Sequence, residues 1–453
     1  MKRKIYDTLL EWKRTSNGRS AVMIDGARRV GKSFIAEEFA RNEYAAHLVI
    51  DFAKASRRVK DYFEDYLDDL DTFFMYLSAA FKVSLVPGNS VIIFDEVQRF
   101  PRAREAIKYL VADGRFHYIE TGSLISIKKN VRDIVIPSEE FHVKMFPMDF
   151  EEFLWATGNG QMQPIIERRF AERVPVGEPM HRQIMSVFRQ YLIVGGMPQV
   201  VKTFAETRDL AQVEFEKRNI LDLYRDDIHK FAGAQRQKVA AIFDDIPAQL
   251  SKHEKKFSAS ALKDGALIRD YDGAFEWLKS AMTVNVCYGA AEPNVGLRLN
   301  MERTTLKCYM ADTGLLVSLA FDENELATQD IVNRLLNDDI EFNEGMVVEN
   351  VVAQMLRAAG HKLYFYSKSD RLDASNRMEI DFLVAKSRTQ SRNNVSPIEV
   401  KSGRKYSTVS MDKFRKKFAP FLGESFVLHK KDVQIKDGVT YLPLYMAPLL
   451  TGN

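Results

Sequence analysis

"AVMIDGARRVGKSF", residues 21–34, decides how the front of this 453-residue chain is read. Gly26 to Ser33 fit the spacing G-x-x-x-x-G-K-[ST] in full. The apolar run 21–24 has the character of a buried parallel strand, and Ile35, Ala36, Phe39 and Ala40 recur on one helical face. Strand, glycine loop and helix in that order predict a phosphate cradle. The glycines let the backbone curl so that its N–H groups, with the helix N-terminus, surround anionic oxygens. Gly26, Arg28, Arg29, Val30, Gly31, Lys32, Ser33 and Phe34 are therefore the expected nucleotide-binding segment. Lys32 is expected on the β- and γ-phosphates, and the Ser33 hydroxyl on Mg²⁺.

A hydrolysing site of this type needs an acidic pair on a neighbouring strand. "SVIIFDEVQRF", 90–100, provides one at the C-terminal end of an apolar run, where open α/β sheets place ligands. Asp95 is the expected Mg²⁺ partner, and Glu96 the base that polarises the attacking water. "HLVIDF" (47–52) and "FHYIETGSL" (116–124) read as further strands. Thr121 and Ser123 at the end of the second are candidates for sensing the γ-phosphate, the competing reading being a turn that only closes the strand. "FHVKMFPM" (141–148) is a fifth strand, leading into a helix over 149–156 with Asp149 as its N-cap. The acidic run "DYFEDYLDDLD" (61–71) reads as a solvated helix face.

Length implies two to four domains. A net charge of +3 raises no global basic field, so contact with nucleic acid must rest on local patches. Only two cysteines occur, Cys287 and Cys308, without metal-type spacing, so no disulfide framework is expected and a reducing cytoplasm is the default. The basic N-terminus lacks an apolar signal core, and no apolar run approaches membrane-spanning length. After the first 156 residues, 157–232 reads as a helical lid. Its break at Gly195, Gly196 and Pro198 reads as a tight structural corner. Residues 233–328 show helices followed by the strand-like "TVNVCYGA" and "LRLN", with Lys252, Lys255, Lys256, Lys263 and Arg269 forming a basic surface. DNA and a protein partner both stay open for that surface.

The tail, 329–453, holds a second constellation. Asp381 lies in the strand "MEIDFLVAK", and Glu399 and Lys401 lie in "SPIEVKSG", two apart and so on one face. If the strands pair, Asp381 can lie beside Glu399, and two carboxylates with an ammonium can hold a metal ion and orient a water. The D…E-x-K pattern resembles the PD-(D/E)xK nuclease-like superfamily. That resemblance implies a restriction-endonuclease-like α/β fold and a glutamate on the first helix, for which Glu349 is the match. The competing reading is an exposed Glu–Lys strand pair of little energetic weight.

Taken together, "IDGARRVGKS", "VIIFDEVQR", "YIETGSL", "FPMDFEEFL", "YLIVGGMPQVV", "ILDLYRDDIHK" and "KCYMADTGLL" resemble prokaryotic AAA-type ATPases that carry a domain of unknown function behind the ATPase module. The resemblance covers nearly the whole chain. It implies an AAA+-like parallel sheet, a winged-helix module over 233–328, and ATP as the nucleotide. It departs at "IPSEEFHVKMFP", where relatives often carry a Gly-Arg pair. Arg132 and Arg29 are then the remaining candidates for a finger arginine, and contacts in a homo-oligomer matter. Two functions follow. One is an ATPase whose nucleotide state sets a winged helix and a metal-dependent nuclease on DNA. The other is a nucleotide-controlled switch whose tail binds a partner and does not cleave.

Overall fold

The computed structural model describes residues 1–122, 139–294, 296–321, 344–369, 376–385, 394–403 and 405–450. The chain divides into two compact units, Met1–Phe146 and Pro147–Asn453.

The first unit is built on five parallel strands: β1 (Ala21–Gly26), β2 (Ala46–Asp51), β3 (Ser90–Asp95), β4 (His117–Gly122) and β5 (Glu140–Met145). Their order is β2-β3-β4-β1-β5, so β4 stands between the P-loop strand and the acidic strand. All of the residues of β1 are buried, which is why its sequence is continuously apolar up to Asp25. Helices α1 (Ile5–Ser16) and α2 (Lys32–Glu43) pack together, and α2 lies against β1 to β4. On the opposite face, α3 (Arg57–Asp65), α4 (Leu70–Phe81) and α5 (Pro101–Asp113) enclose Phe52, Phe63, Phe73 and Phe94 with Met23 and Ile50. Each such phenylalanine stabilises the layer by about 1.5–3 kcal/mol through burial. The acidic run at 61–71 straddles the end of α3 and the start of α4, and Asp61, Glu64 and Asp71 are exposed.

The second unit begins with helices: α6 (Phe150–Ala156), α7 (Gln163–Glu172), α8 (Glu178–Val194), α9 (Pro198–Thr207), α10 (Leu210–Phe231), α11 (Arg236–Ser251) and α12 (Asp272–Ala281). Asp149 caps α6 in a reciprocal box with Glu152. The corner between α8 and α9 is set by distant residues. Gly195 has φ 77°, and a Cβ there would stand 2.2 Å from the Asp312 carboxylate. The Gly196 N–H donates to Asp312 at 2.6 Å, while Asp312 also caps α13 (Thr313–Ala320) through Leu315 N–H. The glycine pair and the "ADTG" stretch are thus two halves of one packing contact.

Strands β6 (Val284–Ala290) and β7 (Met301–Met310) follow α12, then α14 (Glu344–Ala358), β8 (Tyr364–Lys368), β9 (Met378–Ala385) and β10 (Val395–Val400). Helix α15 (Val409–Phe418) and strands β11 (Ser425–His429), β12 (Gln434–Lys436) and β13 (Val439–Pro443) complete the unit. One mixed sheet runs β12-β13-β11-β10-β9-β8-β6-β7. Of the two strands expected in a winged-helix module, "TVNVCYGA" forms β6, whereas "LRLN" (297–300) is a turn that leads into β7; β6 and β7 are an edge of this sheet, with β6 parallel to β8 at Tyr288–Tyr364. The expected boundary at 328/329 falls outside the described residues. Cys287 and Cys308 are free and buried. No helix among the described residues is long and apolar enough to cross a membrane.

Candidate functional site

The loop after β1 curls as its sequence requires. Arg29 (φ 70°) and Gly31 (φ 94°) are left-handed, and Gly31 sits at the N-cap of α2. Such alternation turns successive N–H groups toward one point. Gly26 is fixed by approach, since a Cβ there would lie 2.6 Å from the Met145 carbonyl oxygen on β5. Arg28 and Arg29 are exposed, Val30 is buried, and Phe34 is 58% exposed on the first turn of α2.

Lys32 is buried, and its ammonium donates to the carbonyls of Gly26 (3.0 Å) and Ala27 (2.9 Å). Burial lowers its pKa, against the opposing pull of Glu96 and Asp95. The Ser33 hydroxyl donates to Asp95 Oδ1 at 2.6 Å, and the Thr121 hydroxyl donates to the same oxygen. The Glu96 N–H reaches Thr121 Oγ1 at 3.4 Å. Ends of three elements, α2, β3 and β4, therefore converge on one carboxylate oxygen. A hydroxyl beside a carboxylate is a hard-oxygen donor set that suits Mg²⁺. Glu96 is left-handed (φ 54°), a non-glycine conformation costing of order 1–3 kcal/mol that clusters at functional sites. Gln98 donates to its carboxylate at 2.7 Å. Ser123 and Arg132 lie outside the described residues.

A polar cluster beneath the loop was not foreseen from sequence. His142 on β5 bridges Asp25 (2.9 Å) and Glu140 (3.0 Å), and Glu140 takes a two-pronged bond from the buried Arg104 of α5. The bonds to Asp25 and Glu140 raise the His142 pKa to about 9. Glu120 on β4 is fully buried with both oxygens unpartnered, and burial followed by Glu140 pushes its carboxyl well above the usual range.

In the second unit the predicted tail residues separate into two groups. The β9–β10 ladder ends at Ile398–Phe382, one pair short of Glu399 and Asp381. There the Val400 N–H donates to Asp381 Oδ2 at 2.8 Å. Glu399 faces Lys401, which donates to Oε1 at 2.6 Å, while Oε2 is buried without a partner. Burial pushes Glu399 up to about 7 despite that lysine. Asp381 also meets a lysine not singled out in the sequence. Lys307 of β7, 1% exposed, stands 3.0 Å from Glu349, 2.9 Å from Glu379 and 3.6 Å from Asp381. Glu349 also accepts from Tyr309 and from Lys255. Burial pushes the Glu349 carboxyl up, yet Lys307, Lys255 and Tyr309 hold it low, at about 2. Burial and Glu349 raise Asp381. Among the described residues, no group of three or more His, Cys, Asp or Glu side chains is placed to hold a metal ion. The Ser33 hydroxyl beside the Asp95 carboxylate is the oxygen set that fits a divalent ion, whereas at Glu349 and Asp381 the Lys307 ammonium stands among the carboxylates. The signal for Lys307 was present as a lone charge inside the buried "LKCYM".

A profile of the AAA domain matches residues 18–154, the stretch that carries the loop, both acidic residues and Thr121. The first unit carries an AAA domain. Behind it, a domain of unknown function (DUF8612) matches 185–330 and another (DUF4143) matches 344–447. The AAA domain's sheet precedes a helical region and a mixed-sheet C-terminal domain, the architecture expected from sequence. The DUF8612 match runs across the expected boundary at 232/233. Comparison with curated proteins gave no match. Solved structures that match include Drosophila ORC bound to DNA, 13% identical over 74% of this chain and 95% of that one, with a TM-score of 0.28. A DNA replication initiation factor is 10% identical over 74% and 92%, with a TM-score of 0.23. AMPPCP-bound DnaA from Aquifex aeolicus is 10% identical over 75% and 95%, with a TM-score of 0.22. At these scores the likeness carries no detail over to this chain.

Proposed function

We propose that the AAA domain binds and hydrolyses ATP with Mg²⁺, and that nucleotide state controls the second unit as an effector. The observation that carries the first half is the sharing of Asp95 Oδ1 by Ser33 and Thr121 at the mouth of the P-loop. Lys32 and the amides of 28–34 grip the β- and γ-phosphates. Ser33 and Asp95 hold the metal, which supplies charge neutralisation at the phosphates when bound. Glu96 orients the attacking water and accepts its proton. Thr121 ties the acidic strand to its neighbour. Arg29, exposed on the loop, is the finger candidate toward a second copy.

Segments 1–156, 157–232, 233–328 and 329–453 serve in this reading as motor, lid and two effector parts. The common sheet of 284–310 and the tail supports treating the last two as one working surface. Its partner is DNA, met by the exposed Lys252, Lys263 and Arg269; Lys255 is committed to Glu349. The tail is read as binding and not cleaving, because Lys307 neutralises the carboxylates that a nuclease would give to its metal.

The test is turnover in Glu96→Gln. The variant is expected to retain ATP binding while its hydrolysis falls by about 10²–10⁴, the usual worth of a positioned base. Hydrolysis at the wild-type rate would remove Glu96 from its role.

A further inference from the structure

We propose that the Lys307 ammonium is a resident cation that takes the place of a divalent metal in the tail's carboxylate site. The inference rests on reading Glu349, Asp381, Glu399 and Lys401 as a PD-(D/E)xK-like set, and it assigns the residue that fills that set's centre. Magnesium needs oxygens at about 2.0–2.1 Å and calcium at about 2.3–2.6 Å. The Lys307 nitrogen lies 3.0 Å from Glu349 Oε1 and 3.6 Å from Asp381 Oδ1. An ion bonded to both of those oxygens would press against the ammonium, with like charge and overlapping radii.

Four further contacts make the arrangement a built one. Glu349 Oε1 also accepts the Tyr309 hydroxyl, and its Oε2 accepts the Lys255 ammonium, so both oxygens face donors already. Asp381 Oδ2 is taken by the Val400 N–H. Lys307 and Tyr309 come from β7 and point into the same space, because residues two apart on a strand share a face. Glu379, on β9 two residues before Asp381, gives Lys307 its shortest pair at 2.9 Å. A buried ammonium surrounded by three carboxylates is neutralised where it stands, as a metal would be. Glu399 is paired with a lysine of its own, Lys401.

The consequence is a tail that keeps its shape without a divalent cation and has no ion with which to activate water. Its role is then recognition, with the ammonium fixing strand β7 to helix α14 and strand β9.

The experiment is Mn²⁺ uptake by the full-length protein without nucleotide, read from the electron paramagnetic resonance of free Mn²⁺. Wild type and Asp381→Asn are expected to take up the same amount. Lys307→Met is expected to gain a site, and adding Asp381→Asn to it should weaken that site by about tenfold or more. Lys307→Gln serves as the second variant, since it keeps a polar group in the space should the methionine form fail to fold. Mn²⁺ uptake by wild type that Asp381→Asn abolishes overturns the proposal. So does a folded Lys307→Met or Lys307→Gln that gains nothing. Because nucleotide is left out, loss of ATP binding in the AAA domain would not mimic either result.

Discussion

Both units bring a buried lysine near carboxylates, and they arrange them in opposite ways. In the AAA domain, Lys32 is held by the loop carbonyls of Gly26 and Ala27, and Asp95 is held by the hydroxyls of Ser33 and Thr121. No described ion pair joins Lys32 to Asp95 or Glu96, so each charge is oriented by neutral groups. In the second unit Lys307 pairs directly with Glu349, Glu379 and Asp381. Charges kept apart by neutral hydrogen bonds retain their capacity for phosphate and metal. Charges that satisfy one another become structure. On the proposed reading, the same residue types make a ligand site in one place and a clamp in the other.

The contrast is sharpest in stability. Lys307→Met strands three carboxylates, of which Glu349 is buried and Asp381 half-buried, and should cost about 3–5 kcal/mol, read from chemical denaturation. A loss below about 1 kcal/mol would make the cluster a weak surface feature and dissolve the comparison. Lys401→Ala is expected to cost about 1 kcal/mol or less by the same measurement. Its partner Glu399, with a pKa pushed up to about 7, can accept a proton when the lysine is gone. A loss as large as that of Lys307→Met would place Glu399 and Lys401 inside the clamp.

The smallest effect belongs to His142, half-exposed beneath the P-loop. Its folded pKa of about 9 lies above the ordinary value near 6.5, so its stabilisation is complete below about pH 6.5 and fades as pH rises through about 9. Wild type should exceed His142→Gln in unfolding free energy at pH 6, by less than about 1 kcal/mol after solvent screening, and the two should converge near pH 10. Parallel melting curves across that range would mean that the bonds to Asp25 and Glu140 do not depend on the imidazolium.

What could be read from sequence followed from how far apart the interacting residues lie. The P-loop is a local object: Gly26, Gly31, Lys32 and Ser33 fall within one strand, loop and helix, and their spacing alone encodes the curl. Asp95 and Glu96 were legible because an apolar strand must end where its charges begin. Thr121 was legible only as one of two candidates, since which residue ends β4 depends on the register with β1. Gly195 and Gly196 were recognisable as a corner. Their partner, Asp312, was not, because nothing local ties it to a glycine pair on another helix. Lys307 was missed for the same reason. It comes from a strand that precedes the D…E-x-K pattern by many residues and that β8 and β6 separate from β9 in the sheet, so the contact with Asp381 has no local or strand-pairing signature. A lone lysine between Leu306 and Cys308 marks a buried cation, but the sequence does not say which carboxylates receive it.

The most direct measurement is calorimetric titration of ATP with Mg²⁺ into the full-length protein. Saturable binding in wild type, lost in Lys32→Ala, is the result expected if the amides of 28–34 and the buried ammonium form the phosphate grip. Wild-type protein that takes up no ATP, or a Lys32→Ala variant that binds it equally well, would contradict the assignment on which the proposed function depends.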